Sequence, residues 1–208
     1  KMKIQAVDRV GISQRKNTTI IPEGSEVIIK QNRDFDFGGW VFSGKVEINT
    51  VAANFTYDDF TISLLDTKET VFSVDPIKQA HGPGPVRMIS EIKGVSGKLI
   101  IDHKNNKSGK NDLFDMYPRL VVENQTRIYY NDESIYRGAY DSTRFYYSVD
   151  PFTKDSLHKF VRKDLRLQGE LTSAGIFPKM KQELKVMPDY SFGFNTKAPA
   201  GGYPFYES

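Results

Sequence analysis

The chain has 208 residues, 29 of them Lys or Arg and 26 Asp or Glu, with no cysteine and a net charge of +3. The missing cysteines exclude disulfides, thiol catalysis and cysteine metal sites. The scattered basic residues offer no nucleic-acid surface, and no apolar run approaches the ~20 residues that cross a bilayer as a helix. With 38% hydrophobic and 12% aromatic residues the composition belongs to a folded chain that buries a core. The length suits a single all-β domain spanning 1–208.

In chain order, residues 1–34 read as strands and turns: a weak alternation from Lys3 to Val7, then Thr18–Ile21 ending at Pro22, then Glu26–Lys30. The stretch from Phe35 to Val74 organises the rest. It holds four apolar runs, Phe35–Phe37, Trp40–Ile48, Phe55–Leu65 and Val71–Val74, rich in β-branched and aromatic residues. Lys45, Glu47 and Asn49 interleave with Val46 and Ile48, a period of two that puts apolar side chains on one face of a strand. Gly38-Gly39, Asn49-Thr50 and Asp66-Thr67 stand between the runs as expected corners.

Prolines and glycines make 75–86 a loop. Strands resume around Val86–Ile92 and Leu99–Ile101. The polar segment 102–118 is a second loop, followed by strands at Leu120–Val122, Arg127–Tyr130 and Thr143–Val149. Asp155–Asp164 places Leu157, Phe160 and Val161 at helical spacing behind a possible cap, and Met180–Val186 has a similar pattern, so one or two short helices are expected. A tripartite echo links Ser43-Gly44-Lys45-Val46, Ser96-Gly97-Lys98-Leu99 and Gln168-Gly169-Glu170-Leu171, at spacings too unequal for a strict repeat. Short strands, Gly and Asn corners and the lack of any Asn-Gly hairpin signal favour a right-handed parallel β-solenoid. A two-sheet β-sandwich is the alternative.

The phrases DFGGWVFSGKVEI, NFTYDDFTISLLD, GKLIIDHKNNKSGK, YYNDESIYRGAYDSTRFYYSVDPF and SAGIFPKMKQELKVMPDYSFGF together resemble segments of very large envelope proteins of Bacteroidota that carry no assigned function. The resemblance runs from about Ile20 to Tyr206 and contains no catalytic signature. It implies a β-solenoid-like piece of a longer protein in the periplasm, at the outer membrane or on the cell surface. Neighbouring domains or an envelope complex would then be its partners.

Candidate chemistry is sparse. His81, His103 and His158 lack metal-ligand spacing. Asp102-His103 on a strand would point to opposite faces. Asp34 and Asp36 would share a face, as the paired acids of a polysaccharide-cleaving enzyme must, although two solvated acids outside Phe35 and Phe37 explain them more simply. The loop with Asn105, Asn106, Asn111, Asp112 and Asp115 is rich in oxygen, yet Lys104, Lys107 and Lys110 oppose a bound Ca²⁺. The most unusual feature is a run of six tyrosines: Tyr129, Tyr130, Tyr136, Tyr140, Tyr146 and Tyr147. Of these, Tyr129, Tyr130, Tyr136, Tyr146 and Tyr147 form a candidate carbohydrate-binding face. In each Tyr-Tyr pair one ring faces in and one out. The sequence therefore reads as a non-enzymatic structural or interaction module without cofactor or metal. A glycan-binding module is the alternative, and a β-helix enzyme the less favoured one.

Overall fold

The computed structural model describes residues 1–77, 84–111, 114–131, 141–197 and 200–202. Its strands are β1 (Met2–Ile4), β2 (Val10–Ser13), β3 (Thr18–Pro22), β4 (Val27–Ile29), β5 (Phe35–Ser43), β6 (Val46–Thr56), β7 (Thr61–Val74), β8 (Val86–Arg87), β9 (Ile92–Lys93) and β10 (Gly97–Ile100). They continue with β11 (Arg119–Val122), β12 (Thr126–Tyr129), β13 (Phe145–Val149), β14 (Phe152–Lys154), β15 (Arg166–Leu167), β16 (Gly169–Ser173), β17 (Met180–Lys181), β18 (Leu184–Val186) and β19 (Phe192–Gly193). The all-β expectation holds. The parallel solenoid does not, because the pairings run antiparallel from β1–β4 through the β5–β6–β7 meander to β16–β17. Antiparallel sheets fit the sandwich alternative.

The long strands β5, β6 and β7 belong to two sheets at once. Their one half (Phe35–Phe37, Ala53–Thr56, Thr61–Leu64) continues through β4 to β1 on one side and through β10 and β11 to β14 on the other. Their other half (Gly39–Ser43, Val46–Thr50, Thr67–Val74) continues through β3 to β2, and through β9, β12, β13 and β16 to β17. A small third sheet joins β15, β18 and β19. Side chains from both halves, among them Phe35, Phe55, Leu64 and Leu99 from one and Ile20, Val41, Ile48 and Tyr147 from the other, enter one contiguous core.

The change of sheet occurs where the sequence placed corners, but the corners are bulges inside strands. Register slips between Phe37 and Gly39 on β5, and at Asn49/Thr50, Thr50/Ala52 and Ala52/Ala53 along the β6–β7 ladder. Aligned bulges bend all three strands together. Gly39 sits at φ +118, and a Cβ there would lie 2.3 Å from the Ile21 carbonyl oxygen and 2.5 Å from the Glu23 nitrogen. The buried Thr50 hydroxyl lies 2.7 Å from the Asp66 carbonyl and 2.9 Å from that of Ala52, so its proton ties the two strands together at the bulge. Thr67 donates to the Val95 carbonyl at 2.7 Å.

The true hairpin loops fall inside the apolar runs. Ser43 pairs with Val46, leaving Gly44-Lys45 as a two-residue loop with Gly44 at φ +60, a position that needs no Asn-Gly dipeptide. Leu157 backbone packs 2.5 Å from where a Gly44 Cβ would stand, and the Val121 and Ser148 carbonyls crowd Gly97 and Gly169 in the same way. The tripartite echo therefore marks close backbone crossings.

The helix expectations are corrected. Asp155–Asp164 forms turns and a 3₁₀ segment at Arg162–Asp164, and Met180–Val186 becomes β17 and β18. Leu157 and Phe160 are buried all the same. Their helical spacing reflects two core contacts made by a turn. No helix among the described residues is long and apolar enough to cross a membrane.

Gly39→Ala should destabilise the protein by roughly 2–4 kcal/mol, since a Cβ must displace backbone at a strained φ. Denaturant unfolding measures this. A loss below about 0.5 kcal/mol would mean that the corner does not depend on this close approach.

Candidate functional site

The expected tyrosine face is divided by the strand period. Tyr129 pairs with Tyr146 across β12 and β13, and Ile128 pairs with Tyr147. Tyr129 and Tyr146 point outward, half-buried, with ring centroids 6.4 Å apart and planes at 65°. The Arg127 guanidinium lies 4.6 Å from the Tyr146 ring centre. Tyr147 is fully buried, its hydroxyl donating to the Gln182 carbonyl. Tyr130 packs edge-on against Phe145 and donates to the Phe192 carbonyl at 3.3 Å. Burial pushes the phenols of both Tyr130 and Tyr147 well above the ordinary tyrosine range. Tyr147 belongs to the core, and Tyr130 is partly buried against it. Tyr136 and Tyr140 lie outside the described residues, as does His81.

The outward rings share their face with a second aromatic pair that sequence reasoning counted only as part of an apolar run. Val41 is fully buried, so Trp40 and Phe42 on either side of it point outward. Their rings are near-parallel, 23° apart with centroids at 6.1 Å. The signal was present in the sequence. A run of alternating strand residues in which both faces are apolar shows that one face is covered or sticky.

Register links the two pairs. Across the sheet, Ile21 lies opposite Trp40, Trp40 opposite Asn49 and Asn49 opposite Glu69. Beyond β9, Lys93 lies opposite Arg127, then Ser148, Glu170 and Lys181. Lys93 bridges Glu69 at 3.1 Å and Glu91 at 2.5 Å. Burial works to raise the Glu91 carboxyl, but the hydrogen bond and charge of Lys93 outweigh it and hold the group below the usual range. Glu47 pairs with Arg87 at 3.1 Å. Beside Phe42 the face opens into a cleft of about 460 Å³, lined among others by Arg9, Asn17, Thr19 and Ser73.

Several of the remaining sequence candidates are engaged in structure, while the buried His158 Nδ1 has no hydrogen-bond partner among the described residues. Phe35 and Phe37 are buried while Asp34 and Asp36 stand outside them. Asp34 accepts the Tyr57 backbone N–H at 2.8 Å. Asp36 accepts from Lys30 at 2.5 Å and from the Asn54 side chain at 2.8 Å. Partial burial works to raise the Asp36 carboxyl, and these bonds and the Lys30 charge bring it below the ordinary range. Asp102 is fully buried and accepts from the His103 backbone N–H and from Asn106. His103 stacks on Phe114 with centroids 4.4 Å apart. In the oxygen-rich segment Asp112 lies outside the described residues; Asn106 bonds Asp102 and the Asn111 backbone, and beside it Lys16 Nζ lies 3.8 Å from Asp102, 3.3 Å from the Phe114 carbonyl and 3.4 Å from that of Tyr117. Among the described residues no group of three or more His, Asp or Glu converges as a metal-binding set.

Comparison with known proteins finds no matching family model, no matching curated protein and no matching solved structure.

The depressed Asp36 carboxyl contributes stability above the ordinary carboxylate value of 3.8, and this contribution is lost as pH falls through its lower folded value. Thermal unfolding of the parent and Asp36→Asn should therefore differ at neutral pH and converge in acid. The gap should be small, because the side chain is about one-third exposed. A gap that stays constant down to strong acid would show that the Lys30–Asp36–Asn54 cluster does not set the difference.

Proposed function

We propose that this chain is a non-enzymatic interaction module, working within a larger assembly of the bacterial envelope and binding through the outward face of the β3–β5–β6–β7–β9–β12–β13–β16 sheet. The observation that carries this reading is the placement of two outward aromatic pairs, Trp40/Phe42 and Tyr129/Tyr146, on one continuous face. The paired acids of the enzymatic alternative are engaged locally, Asp34 by the Tyr57 N–H and Asp36 by Lys30 and Asn54, which favours the non-enzymatic reading. The envelope setting follows from the resemblance of the strand phrases.

A second reading, glycan binding, draws on the same rings. The tyrosine pair alone supports it weakly. Its rings meet edge to face, and Arg127 occupies one face of Tyr146. The Trp40 and Phe42 rings, near-parallel and with Phe42 lining a cleft of mixed polar and apolar character, support it better.

A photo-reactive residue at Asn49, opposite Trp40 on the face, should cross-link a partner in an envelope preparation. The same probe at Lys98, exposed on the other sheet, should not. Equal labelling from both positions, or from Lys98 alone, would remove the assignment of function to this face.

A further inference from the structure

We infer that the outward face is a single track for a neutral, linear glycan held at two aromatic anchors. The inference rests on the interaction reading above and names its ligand. Four strand-to-strand steps separate β5, which carries Trp40 and Phe42, from β12, which carries Tyr129. At the usual spacing the anchors stand about 19 Å apart. A ligand touching both must be long and must run across the strands.

The chemistry between the anchors selects the ligand class. The centre of a protein–protein contact is depleted of charged residues. Here the centre is charged: Glu47 with Arg87, Glu69 and Glu91 with Lys93, then Arg127. Val71, the apolar residue opposite Glu47, is fully buried and offers no contact. Covering these groups with an apolar protein surface would strand them, whereas a polyol can donate to the carboxylates and accept from the cations and from Asn49. Three carboxylates face three cations, so the track carries no net charge and favours a neutral polymer over a uronate or sulfated one. The apolar C–H face of a sugar ring meets the aromatic anchors at either end.

Trp40 is the only tryptophan of the chain, so its emission reports one anchor alone. Neutral linear oligosaccharides of the cello, manno and chito series, from disaccharide to octasaccharide, should be titrated against the whole protein by fluorescence and calorimetry. One series should shift the Trp40 emission, with its long members binding about tenfold or more tighter than its disaccharide, because the second anchor is engaged within the same complex. The Tyr129→Ala/Tyr146→Ala double variant should lose that gain and keep the disaccharide affinity and the Trp40 response. Tyr129→Phe/Tyr146→Phe should retain it, and matching thermal unfolding shows that both variants are folded. Affinity independent of length, or an unaltered gain in the alanine variant, would overturn the two-anchor track. No binding by any series would overturn the glycan assignment, while a protein cross-linked specifically from Asn49 would leave the interaction reading standing.

Discussion

The bend shared by β5, β6 and β7 is the constraint on which the rest of this structure depends. At Gly38-Gly39, Thr50 and Thr67 the register of three neighbouring strands slips, and on either side of that point the three together join a different set of strands. The bend is possible because Gly39 lets the Ile21–Glu23 backbone approach where a Cβ would stand, and because the Thr50 and Thr67 hydroxyls serve carbonyls at the irregular positions. Without it the alternating residues of Phe35–Val74 would build one flat ladder with a single apolar face. With it, the inward residues of both halves enter one core.

The same bend determines the outward face proposed above as the binding surface. Beyond the corner, Val41, Ile48, Thr70, Ile92, Ile128 and Tyr147 turn inward and their neighbours lie on the other face, where Val71 is buried as well. Trp40 and Tyr146 are far apart in sequence, yet they share a face because every intervening pairing is antiparallel and in register. The face is aromatic at two places and charged between them. That distribution suits a ligand that stacks and hydrogen-bonds at intervals.

Much of this was legible in the sequence, in a particular sense. Period-two patterning gave the strand class, the buried positions and the in-and-out split of each Tyr-Tyr pair. It did not give the direction of pairing. Gly38-Gly39 and Asn49-Thr50 carry the composition of turns, and only tertiary contact decides whether such a site reverses the chain or bulges within it. The β6–β7 turn is the converse case. Tyr57 and Phe60 look like strand residues, but Phe60 adopts φ +53 and stays buried, so the reversal hides inside an apolar run. The helical spacing of Leu157, Phe160 and Val161 failed for the same reason, since two buried contacts from a turn mimic a helix face. Trp40 and Phe42 went unnoticed as a site because an outward aromatic and an inward one are identical until a neighbour's register is known.

Native-state hydrogen exchange is the most direct test of the shared-strand corner. If β6 and β7 bind the two sheets into one cooperative unit, amides on both sides of the bend, such as Ile48 and Val71 on one side and Phe55 and Ile62 on the other, should exchange through the same opening. They should then show the same free energy and the same response to denaturant. Protection that divides at Thr50 and Thr67, with one half opening at markedly lower free energy, would contradict a corner that holds both sheets together.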